Sequence, residues 1–161
     1  MKIGLAGTGR MGAAIVQRLI DQGHTLTVWN RTRDKAAALE SKGARVAATP
    51  AELAAASEAI VTILTNAAAI DATYNGPDGL LSGDVKGKLF IEMSTVRPET
   101  QKALAMKAKG KGAAIVECPV GGTIGPARDG KLLGFAGGDD ADFARAKPLL
   151  DQMCRRVEHM G

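Results

Sequence analysis

Six residues near the amino terminus, Gly7-Thr8-Gly9-Arg10-Met11-Gly12, have the types and spacing to hold a pyrophosphate. In a G-x-G-x-x-G turn that joins a strand to a helix, each glycine has a separate mechanical task. Gly7 permits the tight turn, Gly9 lets phosphates approach the backbone, and Gly12 lets helix and strand pack closely. Unpaired N–H groups at the helix start, with the partial positive charge of the helix dipole, then face the anion. The flanks have the required character: Lys2-Ile3-Gly4-Leu5-Ala6 reads as a strand and Ala13 to Ile20 as a helix. Gly4 and Gly9 have P-loop spacing, but Arg10-Met11 stands where that loop needs Lys and Ser or Thr.

A second group follows the next strand. A site that binds the ribose 2′-hydroxyl of NAD uses Asp or Glu about 20 residues beyond the glycines. Here the segment is Asn30-Arg31-Thr32. Asn30 lacks the carboxylate that would repel a 2′-phosphate, Arg31 offers a planar fork of donors, and Thr32 a hydroxyl at a helix start. Arg33 and Lys35 add positive charge nearby. The cofactor expected is NADP rather than NAD.

Strands and helices must alternate to position these groups. Thr25 to Trp29 reads as the second strand, and Thr32 as the N-cap of a helix from Arg33 to about Ser41. Arg45-Val46-Ala47 is a short third strand, and Thr49-Pro50-Ala51-Glu52 a capping box with proline in the first turn. Ala59 to Leu64 is an uninterrupted apolar strand, predicted to be central, and Ala67 to Tyr74 a helix. Leu89 to Met93 reads as a strand, Pro98 opens a helix to about Lys109, and Ala113 to Glu117 is a strand. A glycine-rich loop is expected from Pro119 to Gly130. Strands at Leu132 to Ala136 and Arg156 to His159 then flank a helix from Ala141 to about Asp151. The alternation predicts an α/β fold of the Rossmann type, doubly wound, with a mostly parallel sheet and helices on both faces.

Residues 1–161 are expected to form one dinucleotide-binding domain, large enough to bury about two-thirds of its unfolded surface. With three Phe, one Tyr and one Trp, core volume must come from Ala, Val, Ile, Leu and Met. The net charge of +4 is mild, and the basic residues from Arg97 to Lys111 are interleaved with Ala and Leu, as on a solvated helix face. No nucleic-acid partner is expected. Cys118 and Cys154 form no CxxC and, with only two His, no metal set; both are expected to be reduced packing residues. The apolar run Ala59 to Ile70 is closed by Glu58 and Asp71, well short of the roughly 18 residues that span a bilayer. No membrane association is expected. Without a charged and apolar leader before the first strand, a cytoplasmic protein is expected.

Four landmarks together resemble the β-hydroxyacid dehydrogenases, a family related to 6-phosphogluconate dehydrogenase and the imine reductases. Ile3-Gly4-Leu5-Ala6-Gly7-Thr8-Gly9-Arg10-Met11-Gly12 is similar to the family's cofactor signature, including Met11 before the third glycine. Leu64-Thr65-Asn66 resembles the loop along the cofactor's ribose and phosphates. Glu92-Met93-Ser94-Thr95-Val96-Arg97-Pro98 resembles the segment near the nicotinamide, which implies Thr95 at the cofactor and Ser94 at the substrate. Glu117-Cys118-Pro119-Val120-Gly121-Gly122-Thr123 is similar to the substrate motif D-A-P-V-S-G-G, with Gly121 in place of the serine that holds a substrate carboxylate. Backbone N–H groups of Gly121, Gly122 and Thr123 are expected to form an anion-binding nest there, with the Thr123 hydroxyl as a substitute. The resemblance implies hydride transfer between NADPH and a small carbonyl, hydroxy-acid or semialdehyde substrate. The departure at Gly121 favours a less acidic carbonyl or an imine.

The same resemblance implies what lies outside these residues. The family's proton-transfer lysine sits on a long helix after this domain, and an all-helical domain there carries the dimer interface. Both are expected to be absent from this chain, which is expected to bind NADPH without turnover; the full-length protein is expected to be a homo-oligomer acting on a small molecule. No catalytic residue is assigned within the chain. His24 and His159 read as surface or packing residues, Lys102 and Lys107 as solvated, and no Tyr-x-x-x-Lys pair occurs. The alternative readings are a non-catalytic NADP-binding or redox-sensing module, and the domain of an imine reductase.

Overall fold

Apolar runs without alternation become the centre of the sheet. β4 (Ala59–Thr62) is buried at every position, and β1 (Lys2–Ala6) at all but its first. In the computed structural model, which describes residues 1–161, these strands pair in parallel from Ile3 with Ala59 to Ala6 with Thr62. β2 (Thr25–Trp29) and β3 (Arg45–Val46) extend the sheet on one side, and β5 (Leu89–Glu92) and β6 (Ala114–Glu117) on the other. All neighbours in this six-stranded sheet run parallel, in the order β3-β2-β1-β4-β5-β6. The order reverses between β1 and β4. A crevice therefore opens at the carboxyl ends of those two strands, where ligands of doubly wound sheets bind.

Helices cover both faces, as the alternation predicts. α1 (Arg10–Asp21) buries Ile15, Val16 and Leu19 in a core that includes Ile3, Leu5, Val61 and Ile91. α3 (Pro50–Ala55), α4 (Ala67–Asn75) and α5 (Pro98–Gly110) cover the opposite face, where Leu53, Ile70, Tyr74 and Leu104 meet Ile60 and Phe90. The capping box forms in part: Thr49 Oγ1 accepts from the Glu52 N–H at 3.1 Å. The reciprocal bond goes one residue upstream, from the Ala48 N–H to Glu52 Oε2 at 3.3 Å.

Three local expectations are corrected. The helix expected from Arg33 to Ser41 divides into α2 (Arg33–Ala37) and a 3-10 turn at Glu40–Lys42. Only Ala36 and Leu39 anchor this stretch in the core, too little burial to sustain a longer helix, and Gly43 turns the chain at φ 103°. Thr32 occupies the N-cap position of α2, but its hydroxyl makes no capping bond. The loop expected from Pro119 to Gly130 instead contains β7 (Val120–Gly121) and α6 (Ile124–Asp129).

The late strands do not extend the main sheet. β8 (Leu132–Ala136) pairs antiparallel with β7 and parallel with β9 (Cys154–His159), and α7 (Asp140–Met153) makes the parallel crossover. One antiparallel bridge, Glu117 with Gly137, joins this small sheet to the edge of the large one. Pro119 just after β6 has no N–H to continue the parallel ladder, while its carbonyl accepts from Phe135 N–H at 3.0 Å.

Candidate cofactor site

The glycine turn has the geometry its spacing implies. Gly7 has φ 104°, and a Cβ there would lie 2.0 Å from the Ile63 carbonyl oxygen. A Cβ on Gly12 would lie 1.9 Å from the Gly7 carbonyl oxygen, so the close approach is between α1 and the turn itself. At Gly9 the corresponding position has no atom within 4 Å. Gly9 is also the N-cap of α1, which has no side-chain cap and no acidic residue in its first turn. The first N–H groups of α1 are thus left for an external anion, and the open space beside Gly9 is the cradle a phosphate needs. On these two observations the turn fits a dinucleotide.

Asn30 fastens this turn to the end of β2. Its Oδ1 accepts from the Thr8 N–H at 3.0 Å, and its Nδ2 donates to the Thr32 carbonyl at 3.0 Å. Both ends of the amide are engaged. Arg31 and Lys35 remain exposed on the same rim.

Above the switch point lies a cleft of about 940 Å³ lined by Gly7, Gly9, Asn30, Arg31, Leu64, Thr65 and Asn66 among the residues singled out from sequence. Arg10, Met11, Gly12, Thr32, Ser94, Thr95, Gly121, Gly122 and Thr123 are not among its lining residues. Gly121 is instead paired with Leu133 in the small sheet, Gly122 has φ 132°, and Thr123 is the N-cap of α6. Sequence reasoning missed most of the far wall, which consists of Ala68, Ala69, Ala72 and Thr73 of α4 and the turn from Gly76 to Gly79. Its signal was available: small residues recur at helical spacing at Ala68, Ala72 and Gly76. Asn66 caps this helix, its Oδ1 accepting from the Ala69 N–H at 2.9 Å.

Beneath the cleft, a polar network closes the carboxyl ends of β4 and β5. Glu92 is fully buried, with Oε1 accepting from the Ser94 N–H at 2.7 Å and Oε2 bonded to Thr62 Oγ1. Thr62 Oγ1 is in turn 2.6 Å from the Tyr74 hydroxyl. Burial raises the pKa of Glu92, opposed by hydrogen bonds from Ser94 and Thr62. Burial first, and then the charge of Glu92, raise Tyr74 well above its ordinary value.

Between the ordinary glutamate range and that raised value, the native state keeps a proton the unfolded chain has released. The stabilisation from this carboxyl is therefore fully present at acid pH and is lost as pH rises through the window. Glu92→Gln does not titrate, so the wild type should lose stability relative to it with rising pH. Urea midpoints of the two proteins across that window test this, and a constant difference would refute it.

Other reactive side chains are engaged elsewhere. Burial pushes the Cys118 thiol up to about 12 and Cys154 up to about 11, so neither is a thiolate nucleophile near neutral pH. His159 stacks on Phe143 with ring centroids 4.2 Å apart, and His24 Nε2 lies 2.6 Å from Gln152 Oε1.

The sequence model of the family described as the NAD binding domain of 6-phosphogluconate dehydrogenase matches residues 2–161. The chain belongs to that family. This 6-phosphogluconate dehydrogenase-type domain, an NAD(P)-binding domain, is similar to several longer proteins. Probable 3-hydroxyisobutyrate dehydrogenase, mitochondrial, of Dictyostelium discoideum is 35% identical over 159 residues, covering 99% of this chain and 50% of that protein. Glyoxylate/succinic semialdehyde reductase 1 of Arabidopsis thaliana is 36% identical over 161 residues, covering 100% of this chain and 56% of that protein. The solved structure of Psf3 in complex with NADP+ and 2-OPP superposes with a TM-score of 0.92 at 32% identity, over 98% of this chain and 56% of that one. The chain spans about half the length of the curated relatives it matches. No helix of this NAD(P)-binding domain is long and apolar enough to cross a membrane.

Proposed function

We propose that the chain is the NADP-binding half of a β-hydroxyacid dehydrogenase-type oxidoreductase. The whole protein would move hydride between NADPH and a small carbonyl, hydroxy-acid or semialdehyde. The observation that carries the choice of NADP is the rim at the end of β2: Asn30, Arg31 and Lys35 line the cleft there, and none is a carboxylate. A 2′-phosphate would meet two cations on that rim, whereas an NAD site would need an acceptor for the 2′-hydroxyl. Psf3, of the same fold and 32% identical, was solved with NADP+.

In this reading Gly7 and Gly9, with the first N–H groups of α1 beside Arg10 and Met11, hold the pyrophosphate. Arg31 and Thr32 hold the 2′-phosphate, and Leu64, Thr65 and Asn66 follow the riboses towards Thr95. When bound, the nicotinamide supplies or accepts the hydride. Gly121, Gly122 and Thr123 would face the substrate. Proton transfer falls to a lysine in a helical domain beyond residue 161, which would also carry the contacts of a homo-oligomer. Two free buried cysteines suit a reducing compartment, and the cytoplasm is the one we assign.

Trp29 is the single tryptophan and lines the cleft. Its fluorescence should report NADPH binding at least tenfold tighter than NADH, the factor of one charge-assisted contact. The same sample incubated with succinic semialdehyde should leave NADPH unoxidised. Equal affinity for the two cofactors would overturn the NADP assignment, and turnover by the chain alone would overturn the placement of the lysine.

A further inference from the structure

Asn66 already fastens the cleft-facing loop to the first turn of α4, and the network around Glu92 adds a second tie, from the start of that loop to the far end of the helix. On one side Glu92 Oε1 accepts from the Ser94 N–H, and Ser94 Oγ accepts from the Leu64 N–H at 2.7 Å. On the other, Glu92 Oε2 and Thr62 Oγ1 together reach the Tyr74 hydroxyl. Leu64 opens the cleft-facing loop, and Tyr74 lies near the end of α4, whose Ala68, Ala69 and Ala72 form the cleft wall. One buried carboxyl thus ties the start of the loop to the end of the helix.

We propose that Glu92 is a positioning residue for the cofactor, fixing the Leu64 start of the loop relative to the Tyr74 end of α4, the two points of this cleft wall that the Asn66 cap does not reach. Burial favours its uncharged form. No Lys, Arg or His takes part in its bonds. Among groups on the elements packed around it, Tyr74 of α4 bonds to it, Glu117 of β6 is its partner in the ladder, and α5 buries the uncharged Gln101 and Leu104. A neutral carboxyl can donate to Thr62 while still accepting from Ser94, which closes the network with every hydroxyl satisfied. Glutamine can present the same acceptor and a donor; leucine can present neither.

The test measures NADPH affinity of the 161-residue chain by Trp29 fluorescence from mildly acidic to alkaline pH, with circular dichroism to verify folding. At neutral pH Glu92→Gln should stay within about threefold of wild type, while Glu92→Leu loses about tenfold, the range set by leaving buried groups unpaired. Ser94→Ala and Tyr74→Phe each remove one oxygen and should lose about fivefold, so they decide the matter if Glu92→Leu does not fold. Wild-type affinity should weaken as pH rises through the raised pKa of the carboxyl, and Glu92→Gln should not. Folded Ser94→Ala and Tyr74→Phe proteins that bind like wild type, or a Glu92→Gln protein as weak as Glu92→Leu, would overturn the proposal. The proposal rests on the cofactor reading above. If NADPH binds no better than NADH, the same series is read with NADH, so the two claims fail separately.

Discussion

Arg31→Asp is expected to raise the Kd for NADPH by about two orders of magnitude and to make NADH the better ligand. The argument is one of charge at a rim. Arg31 is exposed at the cleft edge, beside an Asn30 whose amide is already engaged at both ends. Arg31 is therefore the group at that strand end with donors to spare. Losing it removes the bidentate contact to a 2′-phosphate, and the new carboxylate repels what remains. The same carboxylate can accept from a 2′-hydroxyl, which is what NAD offers. Paired titrations of both proteins with both cofactors measure the switch. NADPH affinity that survived the substitution would show that the phosphate sits elsewhere.

Gly12→Ala is expected to destabilise the fold by about 3 kcal/mol, an overpacking cost at the upper end of the usual range. Gly9→Ala should leave stability nearly unchanged. The two differ in what a methyl group would meet. At Gly12 it is the backbone oxygen of Gly7, which cannot step aside because Gly7 is pressed against the Ile63 carbonyl. At Gly9 there is no protein atom within 4 Å. A methyl there should interfere only with the ligand, weakening NADPH by at least tenfold, as an obstructed phosphate contact would. Urea unfolding, with and without NADPH, separates the two effects. A Gly12→Ala protein as stable as wild type would show that α1 can retreat from the turn.

The main sheet was legible because its strands are short apolar blocks separated by glycine and proline, and burial follows such blocks closely. Ala59 to Leu64 shows both the strength and the limit of that signal. Its first four residues form the central strand β4, but Ile63 and Leu64 turn out of it into the cleft wall. Composition alone does not mark that bend, because the residues on either side are equally apolar. The segment from Pro119 to Gly130 failed in the opposite direction. Its glycines read as a loop, yet pairing with β8 recruits Val120 and Gly121, and burial of Ala127 anchors α6. Long-range partners decided both elements. Within the cleft, the glycine turn was readable because each glycine answers a local constraint. The α4 wall and the Glu92 network depend on which strand ends meet across the sheet, and that order is not written in any one segment.

Arg18 on α1 donates from Nε to the Gln152 carbonyl at 2.8 Å, and its guanidinium fills the space beside Gly130. The helix that begins at the glycine turn is thus covered on one flank by residues from the last part of the chain, on α6 and α7. Synthesis delivers these parts in order, amino end first. The glycine turn, the Asn30 clasp and the arginine rim all leave the ribosome while the outer flank of α1 is still bare. The flank of α1 that faces away from the sheet is therefore the last part of its surroundings to be completed. A nascent chain halted before α6 would present its glycine turn on a helix packed against the sheet but uncovered on the side that α6 and α7 later occupy.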